Sequence, residues 1–499
     1  MLEIDGTSLT LDRVERTART GGVRVRMTSQ ARSAVQATRD RVDAIVQSGE
    51  SVYGVTTGFG HFADVRIEPE QVRELQLNLV RSHAVGTGEA LPPEAVRALL
   101  LMRANVMARG YSGVRPEVID QMLGLLRADV LPYIPRQGSV GASGDLSPLA
   151  HLALVLIGEG EAWAGGELVP GQEALAYAGL EPLVLRAKEG LALVNGTQVM
   201  TALGVLASGE LRRLCGAATI AGALSLEVLL GKTGPFDPVV AELRPHPGHR
   251  ICADQLRQLL RDSELADSEA SRIQDAYSLR CMPQVHGAAL DVCDTARGVL
   301  QTELNSVTDN PLVLDDGRLL SCGNFHGQPV AYALDWLAMA SADLASITER
   351  RINRLLNPRL SGLPAFLVRD GGLRSGYLLA QTAAASLVNE TRMLAMPSST
   401  DSIPTSADQE DHVAMGAWGA WKARLAVQNC RRVVAIELMC ACEAYEFRSP
   451  ALPAPGLRAA VDWVRERVAP LSSDRPLSAD IVALEQALVD DSLQRAVGL

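Results

Sequence analysis

From Lys188 to Gly231 the chain reads KEGLALVNGTQVMTALGVLASGELRRLCGAATIAGALSLEVLLG. Ala and Leu dominate the run and Pro is absent. Both residues lose little side-chain freedom in a helix. The apolar positions cover most of the helical circumference, so such a segment must be buried by other helices. The same pattern returns from Pro329 to Leu356 and from Gly376 to Met396. A mainly helical, all-α protein is therefore predicted, built on a long-helix bundle whose broad apolar faces favour subunit association.

Shorter segments further out agree. Val35, Val42, Ile45 and Val46 share one helical face that ends at Gly49. Pro92 and Pro93 open a helix through Leu99, Leu100, Met102 and Val106, which Gly110 closes. Leu457, Val461, Val464 and Val468 form a stripe that stops before Pro470. Strand-like alternation is confined mainly to the first ten residues and to short turns such as 313–320. The 499 residues exceed what one core normally holds, so two or more lobes are expected.

Composition sets further bounds. Aromatic residues make up only 4% of the chain, leaving its core to Leu, Val and Ala, and the net charge of −11 argues against a nucleic-acid partner. Eight cysteines lie between Cys215 and Cys442 without paired CxxC spacing, so buried free thiols and a reducing compartment are expected. No stretch reads as a signal peptide or a membrane span, which points to the cytoplasm. The eight histidines lack metal-site spacing, and no metal is expected. Gly231-Lys232-Thr233 ends like a phosphate loop, but Leu226 stands where the first Gly is needed. Gly141-Ala142-Ser143-Gly144-Asp145 resembles a nucleophile elbow whose closing Gly is replaced by Asp145, without surrounding βα alternation.

That last segment, continued to Pro148, is dense in small residues and leads into an apolar helix. Read alone it is a turn with Ser147 or Asp145 as N-cap. It also has a special chemical option. In a compressed Ala-Ser-Gly turn the Gly144 amide nitrogen can reach the Ala142 carbonyl carbon, because Gly admits close approach and unusual dihedrals. Cyclisation with loss of water and dehydration of Ser143 to a dehydroalanine would yield a methylidene-imidazolone. Its exocyclic carbon is an electrophile that no standard side chain provides.

Ala142-Ser143-Gly144-Asp145-Leu146-Ser147-Pro148-Leu149-Ala150-His151 resembles the signature of the histidine and aromatic amino-acid ammonia-lyase family. Five more motifs resemble that family in order: Tyr53 to Gly60, Asn78 to His83, Gly190 to Gln198, Gln274 to Cys281, and Gly323 to Gly327. With the stretch Thr405 to Val413, they span about residues 50 to 415. The resemblance implies an aspartase-like architecture, with a smaller N-terminal lobe over 1–200 carrying the cofactor loop and a long-helix bundle over 201–499. It also implies a homotetramer with shared active sites, and 4-methylidene-imidazol-5-one formed from Ala142, Ser143 and Gly144 with no metal or external cofactor.

The roles it implies make physical sense. Removing ammonia from an α-amino acid means taking a weakly acidic β-hydrogen and expelling a poor leaving group. The electrophile answers the second need, by capturing the substrate amine or its ring. Tyr53 answers the first as general base, a phenol that nearby donors or charge must acidify. Arg280 offers a planar fork for the substrate carboxylate. Asn195 and Gln274 supply neutral hydrogen bonds. Tyr277 would polarise the cofactor or assist proton transfer, and Phe325 would line the site.

Histidine is the expected substrate, giving trans-urocanate and ammonia in the first step of histidine degradation. His83 follows Ser82 in the substrate-selecting segment, and Thr405 to Val413 resembles the family's histidine-type stretch, with Glu410 as an added carboxylate. Glu410 can accept from an imidazole N–H and has no comparable partner on a phenyl ring. Thr56, Gly327-Gln328 and Leu378 depart from that type. The alternative is a tyrosine or phenylalanine ammonia-lyase, or an aminomutase, on the same scaffold.

Overall fold

Helix boundaries fall where capping chemistry is available. The helix Ser29–Ser48 starts behind Thr28, whose hydroxyl accepts from the Ala31 N–H, and ends at Gly49. The helix Pro93–Ala108 opens with Pro at its first position, and from Ala98 to Ala108 every residue is buried. The computed structural model describes every residue except Ser143 and Arg272. Helix accounts for 58% of the chain, and among the described residues no strand exceeds four residues. Leu2–Ile4 pairs in parallel with Val25–Met27, and Leu312–Val313 pairs with Leu319–Leu320, close to the two places where alternation is legible in the sequence.

Contacts divide the chain into two compact units. The first comprises Met1–Leu206, Arg297–Asp335 and Pro397–Trp421; the second comprises Ala207–Ala296, Trp336–Met396 and Lys422–Leu499. The first holds the small sheets and helices such as Ser29–Ser48 and Pro93–Ala108. The second holds Leu378–Leu394 and the larger parts of the long helices Gln198–Val228, Met282–Glu303, Gln328–Leu356 and Gly416–Tyr445. In the second unit Arg351 and Glu437, both fully buried, meet through two hydrogen bonds, Nε to Oε1 at 2.5 Å and Nη2 to Oε2 at 2.8 Å. Ser225 also donates to this carboxylate at 2.7 Å. A buried charge pair of this kind fixes which helix faces meet more than it adds net stability.

The run from Lys188 to Gly231 is not one helix. It forms Glu189–Val194, breaks at Asn195-Gly196-Thr197, and resumes as Gln198–Val228. At Gly196 the backbone has φ 151°, and a Cβ would lie 2.4 Å from both Arg103 Nη1 and Gln198 Oε1. Only glycine fits there, and the break exposes Asn195 to the cavity described below. The helix Gln328–Leu356 is long and apolar enough to cross a membrane, but 67% of its most apolar window is buried, as in a core helix. All eight cysteines are free thiols, and six are buried.

Candidate active site

A cavity of about 1320 Å³ opens in the first unit, walled by residues from the 53–83 segment, the loop before Leu146–Leu156, the Asn195 break, and the 310–326 and 406–412 loops. Six residues singled out from sequence line it: Tyr53, His83, Ala142, Asn195, Phe325 and Glu410. Gly144 lies in sequence between the lining residues Ala142 and Leu146 but is not itself a lining residue, while Ser143 lies outside the described residues. Gln274, Tyr277 and Arg280 belong to the second unit and are not among the lining residues. Tyr277 is 71% exposed, and the Arg280 guanidinium lies 4.7 Å from the centre of its ring.

Backbone shape next to the lining residues Ala142 and Leu146 is tightly determined. Gly144 has φ 77°, and a Cβ there would sit 2.2 Å from the Gly196 carbonyl oxygen. The next amide, Asp145 N–H, donates to that same oxygen at 2.7 Å. Asp145 does not cap its own helix by a side-chain bond. Its carboxylate instead accepts from the Val199 and Met200 N–H groups, at 2.9 and 3.0 Å, in the first turn of Gln198–Val228. A carboxylate satisfies the orphan donors of a helix start well. Ser139 Oγ donates to its other oxygen at 3.2 Å. Burial pushes the Asp145 carboxyl up to about 6, against these hydrogen bonds and the nearby Arg103 charge. Arg103 is itself fully buried, and burial brings it down to about 10. It donates to Gln198 Oε1 at 2.6 Å and to the Ala192 carbonyl, bracing the break.

Asn195 has a defined orientation. Its Nδ2 donates to the Asn310 carbonyl at 3.1 Å, and a carbonyl can only accept, so the amide cannot be reversed. Among the described residues, the buried Asn195 Oδ1 has no hydrogen-bond partner. The Asn310 segment is anchored in turn by Asp309, which accepts from the Asn310 N–H at 2.7 Å and from buried Lys188 at 3.1 Å. A buried, unsatisfied acceptor in a cavity wall calls for a donor on a ligand.

Also in the cavity lining, Glu410 Oε2 accepts from Thr405 Oγ1 at 2.7 Å and Ser406 Oγ at 2.9 Å. Tyr53 is half-buried, and the Gly60 N–H donates to its hydroxyl at 3.5 Å. Sequence reasoning missed His326 and His412, which also line the cavity. Their rings stack in parallel 5.8 Å apart, and His326 Nε2 donates to the His412 carbonyl at 3.1 Å. Their adjacency to Phe325 and Glu410 was the available signal. Among the described residues, no three His, Cys, Asp or Glu side chains gather as a metal site.

His83 is partly buried, and its desolvation lowers its pKa below 6.5 although the backbone at Leu79 and the Glu410 charge act to raise it. The neutral ring is therefore the folded form at pH 7. As pH falls through 6.5 the unfolded chain takes up this proton first, so the His83 contribution to stability is lost on the acid side. Stability is therefore expected to fall more between about pH 7 and 5 in wild type than in His83→Gln, and an identical acid-side loss in the two proteins would contradict this.

The chain belongs to the aromatic amino acid lyase family, whose model matches residues 9–466. That family comprises carbon–nitrogen lyases of the methylidene-imidazolone type, which need no external cofactor. Histidine ammonia-lyase of Gloeobacter violaceus is 52% identical over 500 residues, covering 99% of this chain and 97% of the relative. Among solved structures, histidine ammonia-lyase from Trypanosoma cruzi matches with a TM-score of 0.93 and 42% identity, covering 100% of this chain and 95% of that one. Tyrosine aminomutase from Streptomyces globisporus matches with a TM-score of 0.94 and 38% identity, covering 100% and 98%. The helical, aspartase-like architecture expected from the sequence is the one these proteins share.

Proposed function

We propose that this chain is a histidine ammonia-lyase, which eliminates ammonia from L-histidine to give trans-urocanate. The observation that carries the reading is Glu410, a carboxylate held in the cavity wall with His83 lining the same space. The scaffold alone does not select the ring, since a tyrosine aminomutase has the same fold. Glu410 argues against phenylalanine, because it can accept from an imidazole N–H and offers nothing to a phenyl ring, while against tyrosine, whose phenol could also donate, the reading is supported by the full-length likeness to histidine ammonia-lyase.

Ala142, Ser143 and Gly144 are the precursor of the methylidene-imidazolone. Gly144 fits that role: its left-handed backbone and the absence of room for a Cβ suit a turn that must close on itself. Once formed, the group supplies an electrophilic carbon for the substrate amine or its ring. The chain's own residues do the rest. Tyr53 takes the β-proton. Asn195 Oδ1, fixed by the bond from Nδ2 to Asn310, accepts from the substrate amine. Phe325 packs against the bound substrate. Arg280 pairs with the substrate carboxylate, Gln274 adds a hydrogen bond, and Tyr277 polarises the reacting centre. In this reading those three come from neighbouring subunits of a homotetramer, which the exposure of Tyr277 supports. The enzyme works in the cytoplasm, where its eight free thiols stay reduced.

Glu410→Gln is the direct test of substrate identity. It replaces a charge-assisted hydrogen bond with a weaker neutral one, at a cost of about 1.5–3 kcal/mol. The expected result is a fall of roughly ten- to a hundred-fold in kcat/KM for histidine. Any low activity on tyrosine or phenylalanine should be unchanged or higher. Unchanged histidine efficiency would overturn the histidine reading.

A further inference from the structure

The segment Thr405 to Glu410 closes on itself. Thr405 and Glu410 form an antiparallel bridge, with N–H to carbonyl distances of 3.0 and 3.3 Å in the two directions. Between them Ser406, Ala407 and Asp408 are all left-handed, with φ of 54°, 53° and 64°. None is glycine, so each Cβ is crowded against its own backbone. Three strained residues in succession persist only where the surroundings over-determine them, and such strain clusters at functional sites.

The turn has one evident consequence. It carries Glu410 back over the start of its own loop, where Thr405 Oγ1 and Ser406 Oγ both reach Oε2, at 2.7 and 2.9 Å. We infer that Thr405 and Ser406 are specificity-setting positioning residues, a hydroxyl cradle that holds Glu410 aimed at the substrate imidazole. The inference rests on the role given to Glu410 above. Donors to a carboxylate favour its ionised form, and two of them converging on one oxygen stop the group rotating. An acceptor for a ring N–H must be held within a few tenths of an ångström and ~10–20° to discriminate between rings. Neither hydroxyl needs to touch the substrate for this.

The test is a kinetic cycle with histidine and tyrosine on the full-length enzyme. It compares wild type, Thr405→Val, Thr405→Ser, Ser406→Ala, the double variant Thr405→Val/Ser406→Ala, Glu410→Gln, and the triple combination. The double variant is expected to lose roughly ten-fold in kcat/KM for histidine, and its preference for histidine over tyrosine should fall with it. Thr405→Ser, which keeps the hydroxyl, is expected to stay near wild type. In the Glu410→Gln background the same two substitutions should cost less than about two-fold, because a cradle without its carboxylate has nothing to position. If the double variant does not fold, Ser406→Ala, on an exposed side chain, carries the same comparison. A full, additive loss in the Glu410→Gln background would overturn the cradle, as would wild-type efficiency in the cradle variants beside an impaired Glu410→Gln. An unimpaired Glu410→Gln would overturn the cradle together with the histidine reading, so the two failures are distinguishable.

Discussion

Ser143→Ala is expected to fold and assemble while losing at least ~10³-fold in turnover, because no dehydroalanine can form without the hydroxyl. The wild-type chain should be two waters lighter than its sequence, and the variant should lack that deficit. Ala is smaller than Ser and leaves the backbone of the turn free to adopt the same course. The neighbours that shape it, Gly144 against Gly196 and Asp145 on the Val199 and Met200 amides, are untouched. Loss of activity with an intact fold would therefore report chemistry. Activity near wild type, or a wild-type mass equal to that of the unmodified chain, would reject the cofactor assignment. Steady-state kinetics and intact-protein mass spectrometry check both halves.

Tyr53→Phe is expected to lower kcat by roughly 10²–10⁴-fold, the usual worth of a positioned general base. KM should stay within a few-fold, since Phe keeps the ring that packs in the cavity wall. A phenol of ordinary pKa about 10 serves as a base near neutrality only when its anion is stabilised. The Gly60 N–H, 3.5 Å from the hydroxyl, is one donor that faces it. The effect belongs to the chemical step, so kcat and kcat/KM should fall together. Turnover within ten-fold of wild type combined with a collapse in binding would make Tyr53 a binding residue and require another base.

The helices were legible because burial leaves a pattern in the chain: Ala/Leu-rich runs from 188, 329 and 376 became long helices in the places expected. The break at Asn195 was missed although Asn195-Gly196 is a turn-prone pair, because the Ala/Leu-rich pattern continues on both sides of it. Asp145 illustrates the same limit. Local reasoning offered it as the N-cap of its own helix, yet its carboxylate caps a helix that starts more than fifty residues later. Composition and periodicity do not mark 297–335 and 397–421 as returning to the unit formed by the first 206 residues, and only the family resemblance placed Phe325 and Glu410 at the same site as Tyr53. Motif reading found the residues one by one. It had no means of finding the His326–His412 stack, which depends on two loops meeting in space.

Product analysis of the purified enzyme with histidine, tyrosine and phenylalanine offered separately tests the central claim most directly. The account predicts that histidine is consumed to equal amounts of ammonia and trans-urocanate, and that the other two amino acids react far more slowly. Faster turnover of tyrosine or phenylalanine, or accumulation of a β-amino acid in place of free ammonia, would contradict it.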